Sequence, residues 1–197
     1  MLRTGAAKFG TLVSMKGVVF TEFLEMVEAL HSADMVDDLI DEAALPSGGA
    51  YTSVGTYPFS EMAALVGLLS KKTSTPVPAL LQAFGRHLLS RFVVGYPQFF
   101  EVEGGAFSFL ERLDGYIHVE VRKLYPDAEL PRFETERRGD VLVLRYRSER
   151  KLADLAEGLL RGAIEHFGEV LTLDREDDPE HGAGKTVFTL RRDAAAT

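Results

Sequence analysis

The 197-residue sequence contains no cysteine, which excludes disulfides, thiolate metal sites and cysteine nucleophiles. A reducing, cytoplasmic location is the simplest fit to that absence. No apolar run approaches the roughly 18 residues that a membrane-spanning helix needs, so we expect no contact with a membrane. Basic residues number 22 against 30 acidic ones, and the net charge of -8 disfavours general binding to nucleic-acid phosphates.

Sequence motifs of two common enzyme classes are also missing. The histidines form no His-Glu-x-x-His pair, and there is no Gly-x-Ser-x-Gly segment, so zinc-hydrolase and serine-hydrolase functions have no support. Asp34, Asp37, Asp38 and Asp41 have helical spacing but lack the glycine and terminal glutamate of an EF-hand. We interpret this acidic cluster as a solvated helix face.

The hydrophobic pattern changes its period along the chain, which predicts an α+β fold. Residues 1–14 have weak periodicity and are expected to form a flexible extension. Helical spacing then predicts helices over about 18–30, 35–44, 60–70, 76–95 and 107–125. After Pro131 the pattern predicts strands over 133–137, 141–147, 170–174 and 185–192, with a helix over about 150–167 that Ser148 caps and Gly168 ends.

Three polar residues alternate where the second predicted strand ends. In an extended chain Tyr146, Ser148 and Arg150 point the same way, and a phenol, a hydroxyl and a guanidinium together suit carboxylates or phosphates. Taken alone, the segment is better explained by a capping Ser148 with two unrelated neighbours. His118, beside the apolar stripe of its helix, is by itself more typical of a packed core residue.

In combination, these residues resemble a known family. From Met15 to about Arg192 the chain is similar to haem–nitric oxide/oxygen-binding (H-NOX) domains, which are gas sensors. Order and spacing agree at Met15-Lys16-Gly17, Phe84-Gly85-Arg86, Leu113 to His118, Tyr125-Pro126-Asp127 with Leu130 to Phe133, Tyr146-x-Ser148-x-Arg150, and Gly158-Leu159. The resemblance implies one domain over 15–192, with a helical distal part over about 15–70, a proximal and sheet part over about 71–192, and haem between them.

The resemblance also implies how the haem, of the b type, would be held. His118 would be the proximal ligand of the iron, and the iron would be the only metal. Tyr146, Ser148 and Arg150 would bind the two propionates, in agreement with the anion-directed pattern. Pro131 would press on the porphyrin and distort it. The implied pocket is otherwise apolar, although plain core packing uses the same chemistry, and its residues are Val19, Phe23, Leu88, Phe92, Leu155 and Leu159.

The implied distal pocket favours nitric oxide over dioxygen. Oxygen-binding relatives carry a tyrosine nine residues after the first propionate residue, and Leu155 holds that position here. A hydrogen bond to the partly charged dioxygen is worth about 1.5–3 kcal/mol, or roughly 10–150-fold in affinity, whereas nitric oxide needs little such help. His87 is polar, but Leu88 has the register of the lining position. We therefore expect a nitric oxide sensor, with carbon monoxide as a second candidate ligand.

The resemblance further implies a signal rather than a reaction. Gas binding would weaken the bond between His118 and iron, and the N-terminal helices would move about a hinge near Gly85. The partner implied by bacterial relatives is a separate histidine kinase or a cyclic-di-GMP enzyme. Two alternatives stay open: a haem-free interaction or lipid-binding module of the same fold, which an intact His118 argues against, and a peroxidase, for which Leu155 and Leu88 supply no distal base.

Overall fold

The computed structural model describes residues 13–177 and 184–192. Most of the expected N-terminal extension, residues 1–12, lies outside the described residues. Ser14, which we assigned to that extension, already belongs to strand β1 (Ser14–Lys16), and β1 pairs antiparallel with β2 (Thr56–Pro58). The chain is therefore tied into the fold one residue before Met15.

The first half of the molecule is helical, as the periodicity predicts. Its helices are α1 (Gly17–Leu30), α2 (Ala33–Ala43), α3 (Phe59–Thr73) and α4 (Val77–Gly95). Ser32 caps α2 by accepting a hydrogen bond from the Met35 amide. Their apolar stripes form one core around the fully buried rings of Phe20, Phe23 and Phe84.

The acidic cluster lies on the outer face of α2, as expected of a solvated helix face. Asp34, Asp37 and Asp41 are exposed, and Asp38 pairs with Lys72 of α3 at 3.0 Å. Within the described part of the chain, no three histidine, aspartate or glutamate side chains come close enough to hold a metal ion. None of the described helices is long and apolar enough to cross a membrane.

The second half combines an antiparallel sheet with helices, which confirms the α+β class. Its elements are α5 (Gly105–Glu111), α6 (His118–Leu124), β3 (Arg132–Arg138), β4 (Val141–Arg147), α7 (Ala153–His166), β5 (Leu171–Asp177) and β6 (Lys185–Arg192). The strand order is β3-β4-β6-β5, with every neighbouring pair antiparallel. Alternation along β4 buries Leu142, Leu144 and Tyr146 in a second core.

Two glycines allow α4 and α7 to cross with their backbones in contact. A Cβ atom on Gly85 would lie 2.4 Å from the Leu155 carbonyl oxygen, and one on Gly158 would lie 2.2 Å from the Gln82 carbonyl oxygen. Helix α4 runs unbroken through Gly85, so close approach explains this glycine. The crossing brings the Leu155 side of α7 against α4, where the two cores meet.

The expectation of one regular helix over 107–125 is wrong. A π-helical turn (Leu113–Ile117) separates α5 from α6, and the Arg112 carbonyl accepts from both Tyr116 and Ile117. A π turn adds one residue to the helical repeat and is frequent at functional sites. The extra residue rotates the following face, and His118 is the first residue of α6.

The expectation that Ser148 caps a helix from residue 150 is also wrong. The Ser148 amide donates to the Gly184 carbonyl, so this residue continues the β4–β6 ladder. Its hydroxyl accepts from the Arg150 amide at 3.3 Å, and Lys151 has a φ of 55°, which interrupts the chain before α7 begins at Ala153. Tyr146 and Ser148 therefore alternate as in a strand, whereas Arg150 lies in the turn that follows.

Candidate ligand-binding cavity

A cavity of about 280 Å³ lies where the two cores meet. Both halves of the chain line it, including ten of the residues that the sequence singled out: Val19, Leu88, Phe92, His118, Pro131, Tyr146, Ser148, Arg150, Leu155 and Leu159. Sites of this kind, mostly apolar with a few convergent polar groups, are typical of small-molecule and cofactor binding.

Phe23 is the exception, since it does not line this cavity. The ring is fully buried in the first core, where it packs edge-on against Phe84 with centroids 5.2 Å apart. Four residues advance an α-helix by slightly more than one turn. Val19 and Phe23 therefore share one face of α1, but only Val19, one turn earlier, reaches the cavity.

His118 is held by an aspartate that the sequence analysis treated only as part of a motif. The His118 Nδ1 atom lies 2.7 Å from Asp114 Oδ1, and Asp114 Oδ2 accepts from the Phe133 amide at 2.9 Å. One carboxylate thus joins the π turn to β3 and fixes the imidazole plane. A carboxylate on one ring nitrogen is the usual partner of a metal-ligating histidine.

Burial keeps the His118 ring neutral. It lowers the pKa of His118 from its ordinary value, against the raising effect of the Asp114 hydrogen bond. In the neutral tautomer that donates from Nδ1 to Asp114, Nε2 carries a lone pair. The arrangement therefore gives this wall of the cavity one nitrogen ligand of fixed orientation.

A short aromatic series joins His118 to the end of β4. The ring of His118 lies 6.0 Å from that of Phe133, and Phe133 lies 5.3 Å from Tyr146. Tyr146 is buried, and burial raises the pKa of its phenol, so the hydroxyl stays protonated and can donate a hydrogen bond. Tyr146 and Ser148 thus present hydroxyl groups on the same wall as the imidazole.

Arg150 reaches the same wall, where its contacts come from two distant segments. Its Nε and Nη2 atoms donate to the Ser14 carbonyl at 2.9 and 2.5 Å. Its Nη1 donates to the Glu129 carbonyl at 2.8 Å, and Nη2 donates to Glu129 Oε2 at 2.9 Å. Burial lowers the pKa of Arg150, but a guanidinium keeps its charge in proteins.

Two further contacts join the N-terminal half to residues 125–131, which we call the proximal loop. Lys16 Nζ lies 3.1 Å from Asp127 Oδ1 and 2.7 Å from Thr56 Oγ1, and it stands over the Tyr125 ring at 5.3 Å. The Tyr96 hydroxyl, at the end of α4, lies 3.4 Å from that of Tyr125. This hydrogen bond and burial raise the pKa of Tyr96 to about 12.

The opposite wall is hydrocarbon. Leu88, Leu155 and Leu159 face the cavity from the α4–α7 crossing. Leu88 lines the cavity, whereas the His87 Nε2 atom lies 3.4 Å from Glu22 Oε2. These leucine side chains have no hydrogen-bond donor to offer a ligand that enters between them and His118.

Together, the walls suit a flat, apolar cofactor that carries a metal and an acidic edge. His118 Nε2 supplies a ligand of the type that haem iron takes. Tyr146, Ser148 and Arg150 supply two hydroxyls and a cation for carboxylates, and the leucines supply apolar contact. The donor set present in the cavity therefore fits haem.

Comparisons with known proteins agree with this chemistry. The family model described as haem-NO-binding matches residues 16–175. The crystal structure of the Fe(II) unliganded H-NOX protein from K. algicida has a TM-score of 0.85 at 36% identity, covering 93% of this chain and 99% of that one. The H-NOX from Shewanella woodyi, solved with IWP-051 in the Fe(II)CO state, has a TM-score of 0.79 at 38% identity and covers 93% of this chain and 97% of that one.

A third structure is similar at lower identity. The H-NOX protein from S. oneidensis in the Fe(II)NO state has a TM-score of 0.84 at 26% identity and covers 91% of this chain and 100% of that one. No curated protein matches the sequence. The match of the family model and the structural relatives above 30% identity establish the family. The chain belongs to the haem-NO-binding, or H-NOX, family of haem-based gas sensors.

Proposed function

We propose that this chain is a haem-based nitric oxide sensor that binds haem b in the cavity between its two cores. The observation that carries the proposal is the pairing of His118, oriented by Asp114 on one wall, with a hydrocarbon wall opposite. When bound, the haem would supply an iron atom to which a diatomic gas can bind.

The polar wall of the cavity, which comprises His118, Tyr146, Ser148 and Arg150, would hold the cofactor. His118 Nε2 would ligate the iron, because Nδ1 is committed to Asp114. Tyr146, Ser148 and Arg150 would bind the propionates as donors to carboxylates. Pro131 lies on the cavity wall directly before β3, in position to press on the porphyrin.

Leu155 would set the choice of gas. It lines the cavity from α7 and is almost fully buried, and its side chain has no hydrogen-bond donor to offer there. Dioxygen loses the roughly 10–150-fold that such a bond is worth, while nitric oxide and carbon monoxide need it less. The same lack of a proton-moving group argues against peroxidase chemistry.

The signal would pass from His118 to the contacts between the two halves. A change in the position of His118 moves Asp114, and Asp114 is bonded to the Phe133 amide of β3. The halves themselves are joined at Lys16 to Asp127 and at Arg150 to the Ser14 carbonyl. We propose that the helical half shifts across these contacts and that a separate cytoplasmic protein, such as a histidine kinase or a cyclic-di-GMP enzyme, reads the shift.

Absorption spectra of the reduced protein test this function. We expect one haem per chain, a ferrous spectrum that is unchanged in air on the time scale of mixing, and a new Soret band with nitric oxide. A stable complex with dioxygen would contradict the role of Leu155. A purified, haem-supplied protein without a Soret band would refute the sensor and favour the haem-free interaction module.

A further inference from the structure

Arg150 has both sides of its guanidinium occupied. A guanidinium binds a carboxylate through two parallel N–H groups, using either the Nε and Nη2 side or the Nη1 and Nη2 side. The Ser14 carbonyl takes the first side. Glu129 takes the second, with its main-chain carbonyl on Nη1 and its Oε2 on Nη2.

The two partners of Arg150 differ in how readily they can leave. Ser14 belongs to β1, whose pairing with β2 fixes the position of its carbonyl. The Glu129 side chain lies in the proximal loop and is 46% exposed, against 9% for the side chain of Arg150. Glu129 can therefore turn into solvent, whereas the guanidinium stays buried and needs an acceptor.

We propose that Glu129 is a positioning residue that competes with a carboxylate of the bound cofactor for the second side of Arg150. This inference rests on the proposed function. It adds that a carboxylate of the chain itself competes with the cofactor for Arg150. When a cofactor carboxylate binds Nη2 on that side, the Glu129 carboxylate gives up its contact, while the Glu129 main-chain carbonyl stays on Nη1. When the cofactor leaves, Glu129 closes the same contact again.

The proximal loop couples this exchange to the rest of the cavity. Glu129 lies two residues before Pro131 and two after Asp127, and Asp127 holds Lys16 of β1. Its contact with Arg150 therefore ties the loop to the end of β4 at the edge of the cavity. Competition at Arg150 accordingly sets both cofactor retention and the stability of the haem-free fold, in opposite directions.

The variant Glu129→Gln separates these two effects. It keeps the shape of the side chain and removes its charge, so the contact with Arg150 weakens. We expect the rate of haem transfer to an excess of apomyoglobin to fall by roughly two- to fivefold, which corresponds to the free energy of a partly exposed ion pair. We expect the thermal midpoint of the protein stripped of haem to fall, because the same ion pair stabilises that form.

Glu134→Gln is the matched control, since Glu134 is exposed on β3 and has no ion pair among the described residues. It makes the same change of charge five residues away and should leave both measurements unchanged. A merely structural role for Glu129 would speed haem loss along with the loss of thermal stability. Glu129→Asp keeps the charge but shortens the reach, and both of its values should lie between the wild type and Glu129→Gln.

Three outcomes would overturn the inference. Haem release from Glu129→Gln that is unchanged or faster excludes competition. Equal slowing in Glu134→Gln assigns the effect to general charge, and slower release without a lower thermal midpoint shows that no ion pair is exchanged. If the wild type takes up haem and any of these three outcomes is found, only the inference about Glu129 fails. If the wild type takes up no haem, the proposed function itself fails.

Discussion

The two walls of the cavity are built on different principles. On the polar wall, two groups have specific partners: His118 has Asp114, and Arg150 has the Ser14 carbonyl and Glu129. On the hydrocarbon wall, Leu88 and Leu155 are placed by the crossing of two helices. One wall depends on hydrogen bonds between distant segments, and the other depends on close backbone packing.

This difference suits the two walls to two separate tasks, the orientation of a cofactor and the selection of a gas. Orientation of a cofactor needs directional contacts, which the polar wall supplies through charge-assisted hydrogen bonds. Selection among small gases needs the absence of such contacts, which packed leucines supply. Substitutions on the polar wall should therefore change cofactor retention, and substitutions on the hydrocarbon wall should change gas preference.

The largest effect is expected from His118→Gly on the polar wall. Removing the proposed iron ligand should cost more than the roughly 10–100-fold that loss of a ligand's partner costs, so the purified protein should lack the Soret band. Added imidazole should restore haem uptake. His31→Gly, at an exposed position after α1, is the control and should keep its haem; equal uptake by His118→Gly without imidazole would contradict the assignment.

The next largest effect is expected from Leu155→Tyr on the hydrocarbon wall. A phenol hydroxyl placed there can donate to bound dioxygen, and affinity for dioxygen should rise by roughly 10–150-fold. Titration of the ferrous protein with dioxygen measures this change. Leu155→Phe adds the ring without the hydroxyl and should show no gain, and an equal gain in both variants would mean that ring size controls the preference.

A somewhat smaller effect is expected from Asp114→Asn. The amide is neutral and can no longer serve both the His118 ring and the Phe133 amide as an acceptor. Haem affinity should fall by about 10–100-fold, while the proposed exclusion of dioxygen should persist because Leu155 is untouched. Asp140→Asn, in the exposed turn after β3, should bind haem normally; unchanged haem affinity in Asp114→Asn would show that the carboxylate does not orient the ligand.

The last effect, which concerns stability rather than ligand binding, involves the helix crossing that places the leucines. A Cβ on Gly158 meets the Gln82 backbone, while one on Gly67 of α3 meets no atom within 4 Å. Gly158→Ala should lower the free energy of unfolding by about 1–3 kcal/mol, and Gly67→Ala should raise it by about 0.5–1 kcal/mol. Urea denaturation of both variants measures the difference, and equal values would mean that α4 and α7 do not touch at the backbone.

Periodicity predicted the fold well because each element buries one face. The strands expected over 133–137 and 141–147 are β3 and β4, each within two residues of its expected ends. The π turn was missed because apolar residues four apart, such as Leu113 and Ile117, fit an α-helix as well as a π-helical turn. Only the hydrogen bonds of the Arg112 carbonyl distinguish the two.

The site was predictable where it follows a local motif and not where it depends on distant contacts. Tyr146 and Ser148 alternate along one strand, and the spacing of Asp114 and His118 by four residues was a signal that could have found their contact. Lys16 and Asp127 are 111 residues apart, and nothing local indicates their pairing. The place of Phe23 was not predictable because one apolar helix face serves both core and cavity.

The most direct test of the central claim is the iron–histidine stretching band in the resonance Raman spectrum of the ferrous protein. We expect one haem per chain, a band present in the wild type, and its loss in His118→Gly supplied with a ligand that is not an imidazole. A band that persists after His118 is replaced would show that another residue holds the iron and would contradict the account.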